Sequence, residues 1–107
     1  SSWFGFFVWA ALLVVFAPPT EELLFRGAML FGLMRRWSAV TSVIVVTLLF
    51  TALHIPEAMH YWPALVFIGG LGVACAVIRL RTGSIVPAVL LHLAYNLTIV
   101  LRVVLSM

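Results

Sequence analysis

Apolar residues run in long stretches along this chain, and short polar or basic groups separate the stretches. The pattern predicts helical segments over residues 3–17, 20–34, 38–54, 63–78 and 85–105. Helices of this length approach the roughly 30 Å thickness of the hydrocarbon core of a bilayer. The chain is therefore predicted to be all-α, a polytopic bundle of four to five transmembrane helices.

The connections between these stretches carry signals of their own. Pro18-Pro19 is compatible with a tight turn between two helices, or with a kink in one long helix whose freed carbonyls are satisfied by neighbours. Residues 57–62 are predicted to form an interfacial loop with an aromatic belt, and residues 79–83 a short basic turn. Close helix packing is predicted at three pairs of small residues: Ala28/Gly32, Gly70/Ala74 and Gly72/Ala76.

Composition supports a membrane protein. Of the 107 residues, 65% are hydrophobic and 8% are charged, and the mean hydropathy is +1.27. A soluble domain of this length has too much surface for its volume to bury so much apolar material. We expect a multi-pass integral protein with lipids as partners, in a prokaryotic plasma membrane. Because the chain opens on Ser1 rather than Met, we interpret residues 1–107 as one domain cut from a longer protein.

The distribution of charged residues predicts the orientation of the chain in the membrane and argues against nucleic acid as a partner. The net charge of +3 comes from six arginines. Four of them fall at helix boundaries that a hairpin topology places on one side, which the positive-inside rule makes cytoplasmic: Arg35, Arg36, Arg79 and Arg81. Arg102 lies at the other end. No basic stripe carries interleaved aromatic residues, so nucleic acid is not an expected partner.

Three ionisable residues stand together inside an apolar stretch. An ionisable group at membrane depth costs about 2.5–3.5 kcal/mol even on lenient insertion scales, so the cluster needs a reason. Glu22 and Arg26 have the i, i+4 spacing of an ion pair with the acid first. Glu21 projects about 100° away around the helix. We interpret Glu22 as structural and Glu21 as a general base, in preference to a first turn capped by Thr20.

Two further polar pairs occur at helical spacing, Phe50/His54 and His92/Asn96. A lone histidine such as His54, at the end of an apolar helix, is also compatible with an interface residue. His92 lies in mid-span with Asn96 on the same face, and an imidazole and an amide one turn apart supply neutral donors for an oxyanion. The two histidines, Asn96 and Glu21 all lie about 13–25 Å from the basic side, which predicts one shared site.

The motifs resemble those of a known family. The run Glu21-Glu22-Leu23-Leu24-Phe25-Arg26 resembles an EExxxR signature, Phe50 to His54 an FxxxH signature, and His92 to Asn96 an HxxxN signature. In this order they are similar to the CAAX-prenyl protease and bacteriocin-processing family, also called Abi. The similarity extends from about Pro18 to Asn96 and implies an all-helical intramembrane endopeptidase.

The resemblance also implies roles and a substrate. Glu21 and His54 would activate water, and His92 and Asn96 would stabilise the oxyanion. Glu22, Arg26 and Phe50 would support the site. The substrate implied is a membrane-anchored peptide, such as a prenylated CAAX protein that loses its last three residues, or a bacteriocin leader.

A zinc-dependent version of the same protease is the first alternative, with Glu21, His54 and His92 as ligands and an open position for water. The chain has no HExxH motif, which would place two histidines on one helix face. With His92 and Asn96 in an oxyanion hole, only Glu21 and His54 would remain for a metal. We therefore expect no cofactor.

Two other classes of function are considered. Intramembrane acids and histidines also build transporters, but the chain shows no inverted repeat. A non-catalytic membrane scaffold, for example in bacteriocin self-immunity, would have no use for so many polar groups around one cavity. The endopeptidase is the favoured reading. The sequence carries no signal for an oligomeric state.

Overall fold

Four helices joined by three short connections form the part of the chain that the structure, a computed structural model, describes: residues 2–107. Helix α1 covers residues 2–34, α2 Ala39–Leu53, α3 Pro63–Thr82 and α4 Val86–Leu105. No strand occurs within the described residues. The predicted all-α bundle is confirmed, with four helices because the first two predicted stretches are one.

Helix α1 passes through Pro18-Pro19 without a break. Two π-helical turns interrupt its α-helical geometry, and the segments follow in the order Ser2–Ala11, Leu12–Phe16 (π), Ala17–Glu22, Leu23–Met29 (π) and Leu30–Met34. Of the two alternatives that the double proline allows, the structure therefore has the single long helix. Such π-turns are frequent at functional sites, and here they flank Glu21 and Glu22.

The first π-turn leaves a backbone carbonyl without a partner in its own helix. The Ala17 N–H donates to the Leu12 carbonyl, five residues back. At the same spacing the Leu13 carbonyl would face Pro18, which has no N–H. Instead Nδ2 of Asn96, on α4, donates to the Leu13 carbonyl at 2.8 Å. This bond ties α4 to the irregular part of α1.

The other helices end at recognisable signals. Ser38 caps α2, where its Oγ accepts a hydrogen bond from the Thr41 N–H at 3.1 Å. A 3₁₀ turn, Pro56–Ala58, follows α2. Helix α3 ends at Gly83, whose φ of 70° lies in the left-handed region that glycine adopts most readily. The prediction that residues 79–82 form a turn is therefore wrong, because α3 continues through them.

Packing between the helices surrounds the middle of α1. Helix α2 packs on α3 and α3 on α4, while α1 contacts both α2 and α4. A Cβ added at Gly72 on α3 would lie 2.9 Å from Arg26 Nη2 and 3.3 Å from Phe50 Cδ2, so the pair Gly72/Ala76 does permit a close approach. Gly32 and Gly70 instead meet no atom within 4 Å. The main core cluster comprises Phe25, Leu30, Val46, Phe50 and Ala76.

Three of the helices are long and apolar enough to cross a membrane: Trp3–Met34, Pro63–Thr82 and Val86–Leu105. Helix α2, with 15 residues, is a shorter apolar helix. Large apolar side chains are exposed around the bundle, as expected where lipid replaces water; they include Phe4, Phe7, Leu48, Val66 and Leu101.

Candidate active site

The three polar motifs meet inside the bundle. A cavity of about 80 Å³ lies between α1, the end of α2, α3 and α4, and its walls include side chains from every motif: Glu21, Phe50, His54, His92 and Asn96. A volume of this size accommodates water, and the carboxylate and imidazole groups supply the polar partners that a buried water needs. The structure thus brings together all four residues expected to be catalytic.

Glu22 binds two members of the polar cluster, Arg26 and His92. Its Oε2 accepts a hydrogen bond from Arg26 Nη1 at 3.1 Å and from His92 Nδ1 at 2.6 Å. Glu22 and Arg26 are fully buried, and His92 is 2% exposed. Since a buried charge must be paired to be tolerated, Glu22 holds both the arginine and the histidine in place. The pair with Arg26 follows from the helical spacing, whereas the contact with His92 was not predicted.

Glu21 turns its carboxylate into the cavity. Its Oε1 lies 3.6 Å from His54 Nε2 and 3.6 Å from His92 Nε2. That oxygen is buried and has no hydrogen-bond partner within the described residues. The separations are longer than a direct hydrogen bond and suit a water molecule held between the carboxylate and the imidazoles.

The other nitrogen of each imidazole is already engaged. His54 Nδ1 lies 2.7 Å from the Phe50 carbonyl, which can only accept, so Nδ1 carries the proton. His92 Nδ1 donates in the same way to Glu22. Each Nε2 is therefore an acceptor when its ring is neutral and a donor only when the ring is cationic. With Nδ1 donating to Glu22, His92 can offer an N–H to the cavity only when both ring nitrogens are protonated.

Phe50 lies between the motifs and contacts each of them. The Arg26 guanidinium lies 4.3 Å from the centre of its ring. Its ring centroid is 4.6 Å from that of His54 and 5.7 Å from that of His92. An aromatic face next to a buried guanidinium contributes a favourable cation–π interaction. One side chain therefore fixes the position of the arginine and both histidines.

The side-chain amide of Asn96 both binds the α1 backbone and faces the cavity. One N–H of its side-chain amide binds the Leu13 carbonyl, and the residue also lines the site cavity. An amide NH₂ group has two donors. The second N–H remains available for a reacting oxygen, so Asn96 can still act as the amide donor of the expected oxyanion hole.

Glu21, His54 and His92 are the three residues that the zinc alternative requires as ligands. Among residues 2–107, no three side chains of His, Cys, Asp or Glu form a group that could hold a metal ion. Glu21, His54 and His92 are neighbours but do not form such a group.

Sequence reasoning missed several residues of the cavity wall. Glu57, in the predicted interfacial loop, is exposed and also lines the cavity. Tyr95 and Ile99 line it from α4, at three and seven residues from His92. That spacing places them on the face of His92, so helical periodicity could have identified them. Leu13 also lines the cavity, and its carbonyl accepts the hydrogen bond from Asn96, for which no side-chain signal exists.

Fold and site together define an integral membrane protein with a buried acid–base cluster at the centre of a helical bundle. The chain belongs to the family described as type II CAAX prenyl endopeptidase, Rce1-like, whose family model matches residues 3–98. This match confirms the family that the three motifs resemble. Membership implies a membrane protease. No curated protein and no solved structure matches the chain.

Proposed function

We propose that this protein is an intramembrane endopeptidase that hydrolyses a peptide bond near the C-terminus of a prenylated, CAAX-type substrate and releases the last three residues. One observation carries the proposal. Two imidazole Nε2 atoms converge on one carboxylate oxygen of Glu21, each at 3.6 Å, at a cavity large enough for water. Acid–base catalysis requires such groups within reach of one shared water.

The attack step uses Glu21 and His54. A water in the cavity gives its proton to the Glu21 carboxylate as its oxygen bonds to the scissile carbonyl carbon. The carbonyl π electrons move to oxygen and form a tetrahedral oxyanion. His54 Nε2, whose orientation is fixed by the bond from Nδ1 to the Phe50 carbonyl, holds the water in line. When the C–N bond breaks, the proton passes from Glu21 to the leaving amine.

The oxyanion is stabilised from α4. His92, as an imidazolium, donates its Nε2–H, and Asn96 donates its second N–H. Glu22 supports the positive ring of His92 through the 2.6 Å contact at Nδ1. Fixed donors that point to a developing negative charge, in a site shielded from water, contribute the largest share of many rate enhancements.

In this mechanism the carboxylate and imidazoles activate water without a metal. The apolar helices cross a prokaryotic plasma membrane more than once, and the substrate reaches the site from the lipid phase.

The test uses the full-length protein in liposomes and a farnesylated CAAX peptide, with tripeptide release followed by mass spectrometry. Release that needs the prenyl group and persists in strong chelators is the expected result. A folded protein that releases no tripeptide would remove the CAAX substrate. Activity that disappears on chelation and returns with added zinc would contradict the metal-free mechanism.

A further inference from the structure

A second, larger cavity adjoins the candidate active site. It measures about 550 Å³, within the range of about 300–1,000 Å³ that is typical of sites for small ligands. The two cavities are adjacent, because they share a set of wall residues: Leu13, Glu57, Ile68, Tyr95 and Ile99. A substrate that reacts at Glu21 and passes between these side chains would reach the larger cavity.

The larger cavity has an apolar wall and a cation. Trp9, Ala64 and Phe67 line it, and so does Arg102 of α4. Glu57 lines both cavities and thus marks their junction, whereas Arg102 lines only the larger one of these two. Within residues 2–107, no carboxylate lies within 4.0 Å of the Arg102 guanidinium, in contrast to Arg26. A guanidinium with no anion partner beside an apolar space suits a ligand that is apolar and ends in a negative charge.

The distance between Asn96 and Arg102 along α4 indicates how long that ligand would be. Arg102 lies six residues beyond Asn96, which is about 9 Å along the helix axis. Helical side chains lean towards the N-terminus of their helix, here towards Asn96 and the site. An extended tripeptide spans about 10 Å. A peptide cleaved next to Asn96 would therefore bring a carboxylate three residues downstream to the level of Arg102.

We propose that Arg102 binds the terminal α-carboxylate of the substrate, and that the larger cavity holds the three apolar C-terminal residues that cleavage releases. This inference rests on the proposed function and adds a specificity determinant to it. Arg102 would recognise a free C-terminus by its charge. The distance between Asn96 and Arg102 would then select the peptide bond that precedes the last three residues of the substrate.

The test measures binding separately from cleavage. Full-length protein carrying Glu21→Gln is placed in nanodiscs of neutral phosphatidylcholine. Its affinity is measured for two fluorescent farnesylated CAAX peptides that differ only in a free carboxylate or an amide at the C-terminus. The carboxylate form should bind roughly tenfold more tightly, as a charge-assisted hydrogen bond implies. Arg102→Gln should abolish the preference and Arg102→Lys should restore part of it.

Arg81→Gln provides the matched control. Arg81 is exposed near the end of α3, away from both cavities, and its replacement should leave the preference intact. Equal binding of the two peptides, or a preference that survives Arg102→Gln, would overturn the inference. So would equal weakening of both peptides by Arg102→Gln, which is the result expected if Arg102 binds a lipid phosphate.

Cleavage by the protein with Glu21 restored tests the proposed function independently. A carboxylate preference that depends on Arg102, in a protein that cleaves neither peptide, would support the binding site and contradict the protease. Cleavage of both peptides at equal rates and equal KM would support the protease and contradict the carboxylate site.

Discussion

Glu21 and Glu22 are consecutive residues whose carboxylates lie in different surroundings. Glu22 is fully buried between Arg26 and His92. The Glu21 side chain is 30% exposed and turns towards both imidazole Nε2 atoms. One residue of rotation on a helix, about 100°, separates a carboxylate that is paired with Arg26 from one that faces the cavity.

Replacement of Glu22 should therefore affect stability far more than replacement of Glu21. Glu22→Gln leaves the buried Arg26 guanidinium without a carboxylate, and breaking a buried pair costs about 3–5 kcal/mol. Glu21→Gln, at a side chain that is 30% exposed and whose Oε1 has no hydrogen-bond partner among the described residues, should change the free energy of unfolding by about 0.5 kcal/mol or less. Unfolding in detergent, followed by helical circular dichroism, measures both. Equal losses would contradict the different roles assigned to the two acids.

At the residue scale the sequence predicts contacts within a helix better than contacts between helices. The Glu22–Arg26 pair follows from spacing alone. The bond from Asn96 to the Leu13 carbonyl joins residues on α4 and α1. His92 Nδ1 binds Glu22, which is 70 residues away. Neither relation leaves a periodic signal.

Helix α1 depends at its irregular turn on a donor from another helix. If the Leu13 carbonyl lacks a helical partner because Pro18 has no N–H, a residue with an N–H at position 18 could supply that partner. Loss of the Asn96 donor should then reduce the stability by less. Asn96→Ala should cost about 1–3 kcal/mol in the native background and clearly less with Pro18→Ala. Unfolding of the four proteins of this double-mutant cycle gives the coupling. The same cost in both backgrounds would show that Pro18 is not the cause.

The interface between α1, α2 and α3 depends on Gly72. An alanine methyl there would meet Arg26 Nη2 at 2.9 Å and Thr47 Cγ2 at 3.2 Å, so Gly72→Ala should cost about 1–3 kcal/mol. Gly70, two residues earlier on the same helix, faces open space. Gly70→Ala should stabilise α3 by up to about 1 kcal/mol, since alanine favours helix. Thermal unfolding of both variants checks the contrast, and a stable Gly72→Ala protein would contradict the packing described.

Hydropathy predicts where most of the helices begin but not every end or irregular turn. The long apolar runs predict α2, α3 and α4 nearly to the residue at their starts. The end of α3 was misplaced because Arg79 and Arg81 were interpreted as a turn, whereas long basic side chains are compatible with the last turn of a helix. The π-turns of α1 leave no signal in the pattern of apolar residues, because that pattern reports burial and not the spacing of backbone hydrogen bonds.

At the scale of the whole molecule, charge and substrate make opposite predictions about orientation. The positive-inside rule places the end with Arg35 and Arg36 in the cytoplasm. The larger cavity and Arg102 lie at the other end of the bundle, and a prenylated CAAX protein arrives from the cytosol. The proposed function therefore requires the Arg102 end to be cytosolic.

Cysteine labelling decides between these orientations. Cys75 is fully buried, so cysteines introduced as Ser38→Cys and Ser106→Cys, at opposite ends of the bundle, are the reactive thiols. In intact cells an impermeant maleimide should label Ser38→Cys and not Ser106→Cys. The reverse pattern would contradict a cytosolic prenylated substrate and favour a membrane peptide presented from the other face.

The central claim is that Glu21 is the base that activates water. The most direct measurement is single-turnover cleavage of the farnesylated CAAX peptide by the native full-length protein, Glu21→Gln and Glu57→Gln. The two substitutions each remove one negative charge from the wall of the same cavity, but only Glu21 lies beside both imidazoles. We expect Glu21→Gln to lower the rate by roughly 10²–10⁴-fold, and Glu57→Gln to retain it within a few-fold. A Glu21→Gln protein that cleaves nearly as fast as the native one, or an equal loss in both variants, would contradict the account.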